Sequence, residues 1–193
     1  MKSIMFSALM GALVLMCTSG FAQDKWAVEF RPGINFPTAE LLETDLSTGF
    51  GFELTASYNF MSHLGVYAGW GWNKFNIDET SEIDEFDVEE TGYTFGLQFM
   101  HPVGESDIAI FARAGAIYNH LELENSDGEI SEDSGHEFGW QLAAGVSYQF
   151  SDSWHLRPEI RYRSLGVDFD FEPNTVDADL RYISVGIGIA KSF

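Results

Sequence analysis

Charged residues in this chain recur two positions apart: Glu29 with Arg31, then Arg157, Glu159, Arg161 and Arg163, while Glu53 and Arg113 stand alone in stretches of small and polar residues. Two residues is the repeat of a β-strand, so on a strand each set projects from a single face. Carboxylates and guanidiniums held together away from water must pair, because an unpaired buried charge costs several kcal/mol. The chemistry predicted for Glu29, Arg31, Glu53, Arg113, Arg157, Glu159, Arg161 and Arg163 is therefore a network of charge-assisted bonds, with structural packing as the plainest reading of it.

Histidine is the other candidate for chemistry. His63, His101 and His155 fall in or beside short polar connections, whereas His120 and His136 fall near Ser126, Ser131 and Ser134 in a long one. A His–Ser–acid set at that second place is the arrangement an acyl hydrolase would need, but nothing in the spacing fixes it, and polar loops gather such residues by chance. Asp168, Asp170, Glu172 and Asn174 alternate like oxygen ligands of a calcium loop, yet Pro173 stands where such a loop needs glycine. No metal site and no cofactor are read from these residues. A net charge of −20 excludes a nucleic-acid partner, which would require basic patches.

Strands must position these side chains, and the sequence is written in strands. From Trp26, one face reads Trp26, Val28, Phe30, Ile34 and Phe36, interrupted by Pro32, and the other Ala27, Glu29, Arg31, Gly33 and Asn35. The pattern returns over 50–60, 64–72, 93–99, 108–118, 138–150, 156–164 and 181–193, which makes eight strands. Phe111 and Ile117 break it in the fifth, where they fall on the otherwise small or polar face. Connections alternate in length: short at Met61–His63, His101–Asp107 and Ser151–Ser153, long over roughly Pro37–Thr48, Lys74–Glu90, Asn119–Glu137 and Leu165–Asp179. The long segments hold most of the 30 acidic residues, with Lys74 their one base. The densest run, Asp78 to Glu90, could collect divalent cations but reads more plainly as a solvated loop.

Residues 1–22 are of another kind. Lys2, the apolar run Ile4–Met16 and the small residues Gly20 and Ala22 form a secretory signal with cleavage expected after Ala22, leaving 23–193 as one domain. Cys17, the only cysteine, lies inside that signal, and Met16 before it speaks against lipidation. The apolar run is short for a membrane helix, so any crossing must use strands. An even strand count, short turns at one end, long loops at the other and aromatic residues near strand ends favour a transmembrane barrel over a soluble one. The fold class predicted is an all-β, eight-stranded, antiparallel up-and-down barrel.

The last strand sets Ile183, Val185, Ile187, Ile189 and Phe193 on one face against Gly186, Gly188, Ala190 and Ser192. It resembles the terminal strand of bacterial outer-membrane proteins, with Lys191 as a departure where that family carries an apolar residue. With the signal and the eight-strand layout, residues 23–193 resemble the small OmpA/OmpX-type barrels and the outer membrane β-barrel domain proteins of Bacteroidetes-type bacteria. The resemblance implies a monomer in the outer membrane, surrounded by lipid and lipopolysaccharide and inserted by the barrel-assembly machinery, which reads Ile187, Ile189 and Phe193. Its turns would face the periplasm and its acidic loops an extracellular partner. Some relatives are lipid A-modifying enzymes, but the His-x-Ser pattern of the deacylases is absent. The function expected is non-enzymatic, structural or interacting through the loops, with the lumen plugged by charge. The alternatives are a narrow selective pore for small solutes, an accessory barrel of a secretion or adhesion system, and, last, a lipid A-modifying enzyme.

Overall fold

The computed structural model describes residues 25–42, 45–76, 87–124, 130–171 and 174–193. The segment read as a signal, most of the Asp78 to Glu90 run, Ser126, Glu172 and Pro173 lie outside these residues. The strands are β1 (Trp26–Pro37), β2 (Gly49–Asn59), β3 (Leu64–Asn76), β4 (Asp87–Pro102), β5 (Ile108–Glu124), β6 (Ile130–Asp133), β7 (Glu137–Ser151), β8 (Trp154–Phe171) and β9 (Asn174–Ser192). Eight of them close an antiparallel barrel: each pairs with the next barrel strand in sequence, β5 passes to β7, and β9 returns to β1. Closure gives each of these eight strands a paired neighbour on both sides. β6 is a short addition that pairs only with the tip of β5. Tight turns join strands at one end, including the one where Gly104 takes a φ of 61° that side-chain-bearing residues rarely adopt.

Alternation decides which face is which. Val28, Phe30, Ile34, Leu54, Val66, Phe95, Leu97, Ile110, Leu142, Ile160, Val185 and Ile187 are exposed on the outside, while Glu29, Arg31, Glu53, Arg113, Glu159 and Arg161 are buried inside. Such a continuous apolar exterior has no place in water and fits a hydrocarbon surround. Aromatic pairs mark both margins of this belt. Trp26 packs on Tyr58 near the turn end, whereas Phe50 with Trp72 and Tyr118 with Phe138 lie towards the other.

Several sequence-based boundaries need correction. The segment Leu165–Asp179, expected as a loop, is mostly strand: β8 and β9 are 18 and 19 residues long and pair continuously from Trp154 with Lys191 to Phe171 with Asn174. β3, β4 and β5 likewise run past their expected ends, and the segment Asn119–Glu137 contains β6. The barrel thus rises beyond its apolar belt at the loop end. Inside that rise the polar lumen gives way to an apolar core of Phe75, Val88, Ile117, Leu121, Leu165, Val167, Phe169, Ala178 and Leu180, covered by Leu41 with Leu42 and Leu46 against it. Phe111 and Ile117 do point inward, and they fit because glycine stands opposite each: a Cβ on Gly145 would meet Phe111 at 2.6 Å, and one on Gly139 would meet Ile117 at 2.9 Å.

Candidate functional site

The sequence-predicted charges meet in the turn-side half of the lumen. Strand register sets Arg31 opposite Glu53 across β1 and β2, and β8 contributes Arg157, Glu159, Arg161 and Arg163 from successive inward positions. Small residues on β9 leave the space: Glu159 is paired with Gly186 and Arg157 with Gly188. A Cβ on Gly188 would come within 2.6 Å of Glu29 Oε1.

Each carboxylate at the centre is held by more than one guanidinium. Glu29 accepts from Arg31 Nη1 at 2.6 Å, Arg113 Nη2 at 2.7 Å and Arg157 Nη1 at 3.0 Å. Glu53 accepts from Arg31 Nη2 at 2.5 Å, Arg161 Nη1 at 2.6 Å, Arg163 Nη2 at 2.8 Å and Thr55 Oγ1 at 3.0 Å. Glu159 accepts from Arg161 at 2.8 Å, Arg31 at 3.0 Å and Arg113 at 3.1 Å. Arg161 and Arg163 make no ion pair with Glu29. Those two side chains turn to Glu53, and Arg31, Arg113 and Arg157 occupy Glu29.

The network also recruits residues that the alternation did not single out. Glu90 accepts from Arg163, Asn73, Asn119 and the Tyr182 hydroxyl, and so joins the charged half to the apolar core above it. Gln98 and Gln141 accept from Arg113 and Arg163, and Gln141 donates to Tyr67. Glu90 was hidden because it was assigned to a loop, and Tyr182 because it follows Arg181 at a strand start. Counting Arg31, Arg113, Arg157, Arg161 and Arg163 against Glu29, Glu53, Glu90 and Glu159, arginine is one in excess among the described residues. The void beside Arg31, Glu53, Asn73, Arg163 and Tyr182 holds about 20 Å³, room for a single water.

With both oxygens of Glu29 and Glu53 committed to guanidinium, neither carboxylate is free to take a proton from a substrate. The histidines are elsewhere. His63 and His101 stack on each other at the turn end, His155 Nε2 is 3.3 Å from Ser192 Oγ, and His120 bonds Asp133 at the loop end. Ser134, one of the serines near His120, is engaged by the Leu121 N–H and the Gly135 carbonyl. Ile187 and Ile189 on β9 and Phe193 just past its end are exposed on the outside, and Lys191 lays its ammonium over the Trp154 and Phe193 rings, 5.5 and 5.1 Å from their centroids.

A family model described as the outer membrane protein beta-barrel domain matches residues 8–192. The chain belongs to this family. Solved structures agree on the fold. Neisserial surface protein A is similar at a TM-score of 0.62 and 14% identity, over 89% of this chain and 98% of that one. The E. coli outer membrane protein W is similar at 0.60 and 14%, over 90% and 100%, and OprG from Pseudomonas aeruginosa at 0.55 and 14%, over 88% and 97%. No curated protein sequence matches. The belt of Val, Ile, Leu and Phe side chains is accordingly the lipid-facing wall of an outer membrane barrel.

Proposed function

We propose that this outer membrane barrel is closed to solutes and non-catalytic, and that it acts structurally or as a binding surface through its acidic loop end, presented outside the cell. The observation that carries this reading is the cross-linked lumen, where Glu29, Glu53 and Glu159 are each bridged by three arginines drawn from several strands. The apolar core above it supports the same reading, since water and ions would have to pass through packed Phe75, Leu165 and Phe169. Residues 1–22 serve in this reading as a cleaved export signal, and Ile187, Ile189 and Phe193 as the outward face read during assembly. The chain works as a monomer, with lipid and lipopolysaccharide around the belt.

Planar-bilayer recording on the folded full chain tests the lumen. No steady conductance is expected, and steady single-channel steps would overturn the closed reading. Surface proteolysis of intact cells tests the orientation: cleavage should fall in the acidic loops, and cleavage confined to the short turns would reverse it.

A further inference from the structure

The outer face of the hairpin formed by β5 and β6 carries donors that the lumen does not use. Alternation on β5 sets His120 and Glu122 outward, two residues apart, and the pairing of β5 with β6 puts Asp133 opposite Glu122. His120 Nδ1 is 3.1 Å from Asp133 Oδ1 and 3.8 Å from Glu122 Oε1, and one ligand atom from each of the three lies within 4.8 Å of the others. The His136 ring stacks on that of His120, with centroids 4.4 Å apart and planes 11° from parallel, so a second imidazole stands at the same corner.

A separate feature of the sheet calls for positive charge there. Glu89 on β4 is opposite Glu122, and Glu122 is opposite Asp133, which lines up three carboxylates across three neighbouring strands. Like charges directly opposite one another destabilise a sheet. Lys74 relieves the β4 side, with Nζ at 3.2 Å from Glu89, 2.9 Å from Asp87 and 2.7 Å from Glu124. The β6 side is faced by the two imidazoles.

We propose that His120, Glu122 and Asp133, with the stacked His136 ring holding that of His120 in place, bind a divalent transition-metal ion of the zinc class on the outer rim of the barrel. Zinc bonds of about 2.0–2.2 Å to imidazole nitrogen and carboxylate oxygen separate tetrahedral ligands by roughly 3.3–3.6 Å. The two distances from His120 bracket that value. Imidazole with carboxylate selects zinc, copper or nickel over calcium and magnesium, which take all-oxygen shells. The ion would neutralise the carboxylate row and clamp β6 to β5. The His-x-Glu spacing is visible in the sequence, but Asp133 and His136 join it only through the hairpin.

The test is a zinc titration of the full chain, folded in detergent micelles and stripped with a chelator, against a chromophoric competitor. One zinc per chain is expected, resistant to excess calcium and weakened about tenfold or more in His120→Ala and in His136→Ala. Heat-modifiable gel migration shows whether each variant is folded. Unchanged affinity in the doubly substituted His120→Ala/His136→Ala chain, or displacement of zinc by calcium, would overturn the proposal and assign binding to loop carboxylates at large. X-ray absorption of the zinc-loaded unsubstituted chain needs no variant: imidazole scattering is expected, and an all-oxygen shell would refute the site.

Discussion

The two halves of the barrel interior are built on opposite rules. Towards the turns, the lumen is ionic and the outer wall apolar; towards the loops, the lumen is filled by Phe75, Ile117, Leu165 and Phe169 while the outer wall carries Lys74, Glu89, Glu122, Asp177, Asp179 and Arg181. The strands run through both halves without a change of register: on β8, Arg157, Glu159, Arg161 and Arg163 are followed inward by Leu165, Val167 and Phe169. Only the solvent on the outside changes. In the membrane, apolar groups gain nothing by being inside, and the narrow lumen is lined by paired charge. In water, the ordinary preference for burying apolar surface returns at about 25 cal/mol per Å². Glu90, Tyr182 and Arg163 form the layer where one rule passes to the other.

The comparison breaks most visibly if one central carboxylate is neutralised. Glu53→Gln leaves Arg31, Arg161 and Arg163 without their shared acceptor charge, and a loss of about 3–5 kcal/mol is expected in urea unfolding of the micelle-bound barrel. A loss below about 1 kcal/mol would mean that water or relaxed geometry replaces the pairs. In the other half, Leu165→Ala should cost about 2–5 kcal/mol through the cavity it leaves. Hydrogen exchange should place the loosening in the loop-end amides of β8 and β9 while the belt stays protected. Uniform loss of protection would show that the two halves are one cooperative unit.

Gly188→Ala sharpens the role of small residues on β9. Its Cβ would press on Glu29 Oε1, which three arginines hold in place, so a loss of about 1–3 kcal/mol is expected from unfolding midpoints. The smallest effect is a pH response at the loop end. Partial burial raises the Asp133 pKa, but the Gly135 N–H and His120 beside it outweigh burial and hold the carboxyl below the ordinary aspartate range. A group with a depressed pKa stabilises the fold above its unfolded value, about 3.9, and loses that contribution as pH falls through the lower folded value. Exchange of the Leu121 and Ser134 amides should therefore quicken, beyond the intrinsic pH effect, only below about pH 4. An onset near neutrality would assign the contact to histidine instead.

Much of this was legible from alternation. The strand cores, the short turns, the closed eight-strand class and the inward direction of Glu29, Glu53, Arg113 and Arg161 all follow from a two-residue period with unlike faces. The upper barrel was misread for a reason contained in the same pattern. Past Ser164 the alternation inverts its phase, with Leu165, Val167 and Phe169 on the parity that had been polar, and a reading that expects apolar residues outside takes the inversion for the end of a strand. Leu180 and Tyr182 invert β9 in the same way.

By itself the sequence determined the strands, their faces and the family of fold, because these depend on neighbours two residues apart. Partners within the lumen were decided only by closure. Arg31 meets Glu159, and Arg113 meets Glu29, across 128 and 84 residues of chain, and the loop-end corner of His120, Asp133 and His136 exists only once β6 has paired with β5. A period tells a side chain which way to point, while the register and circumference of a closed barrel determine what it finds there.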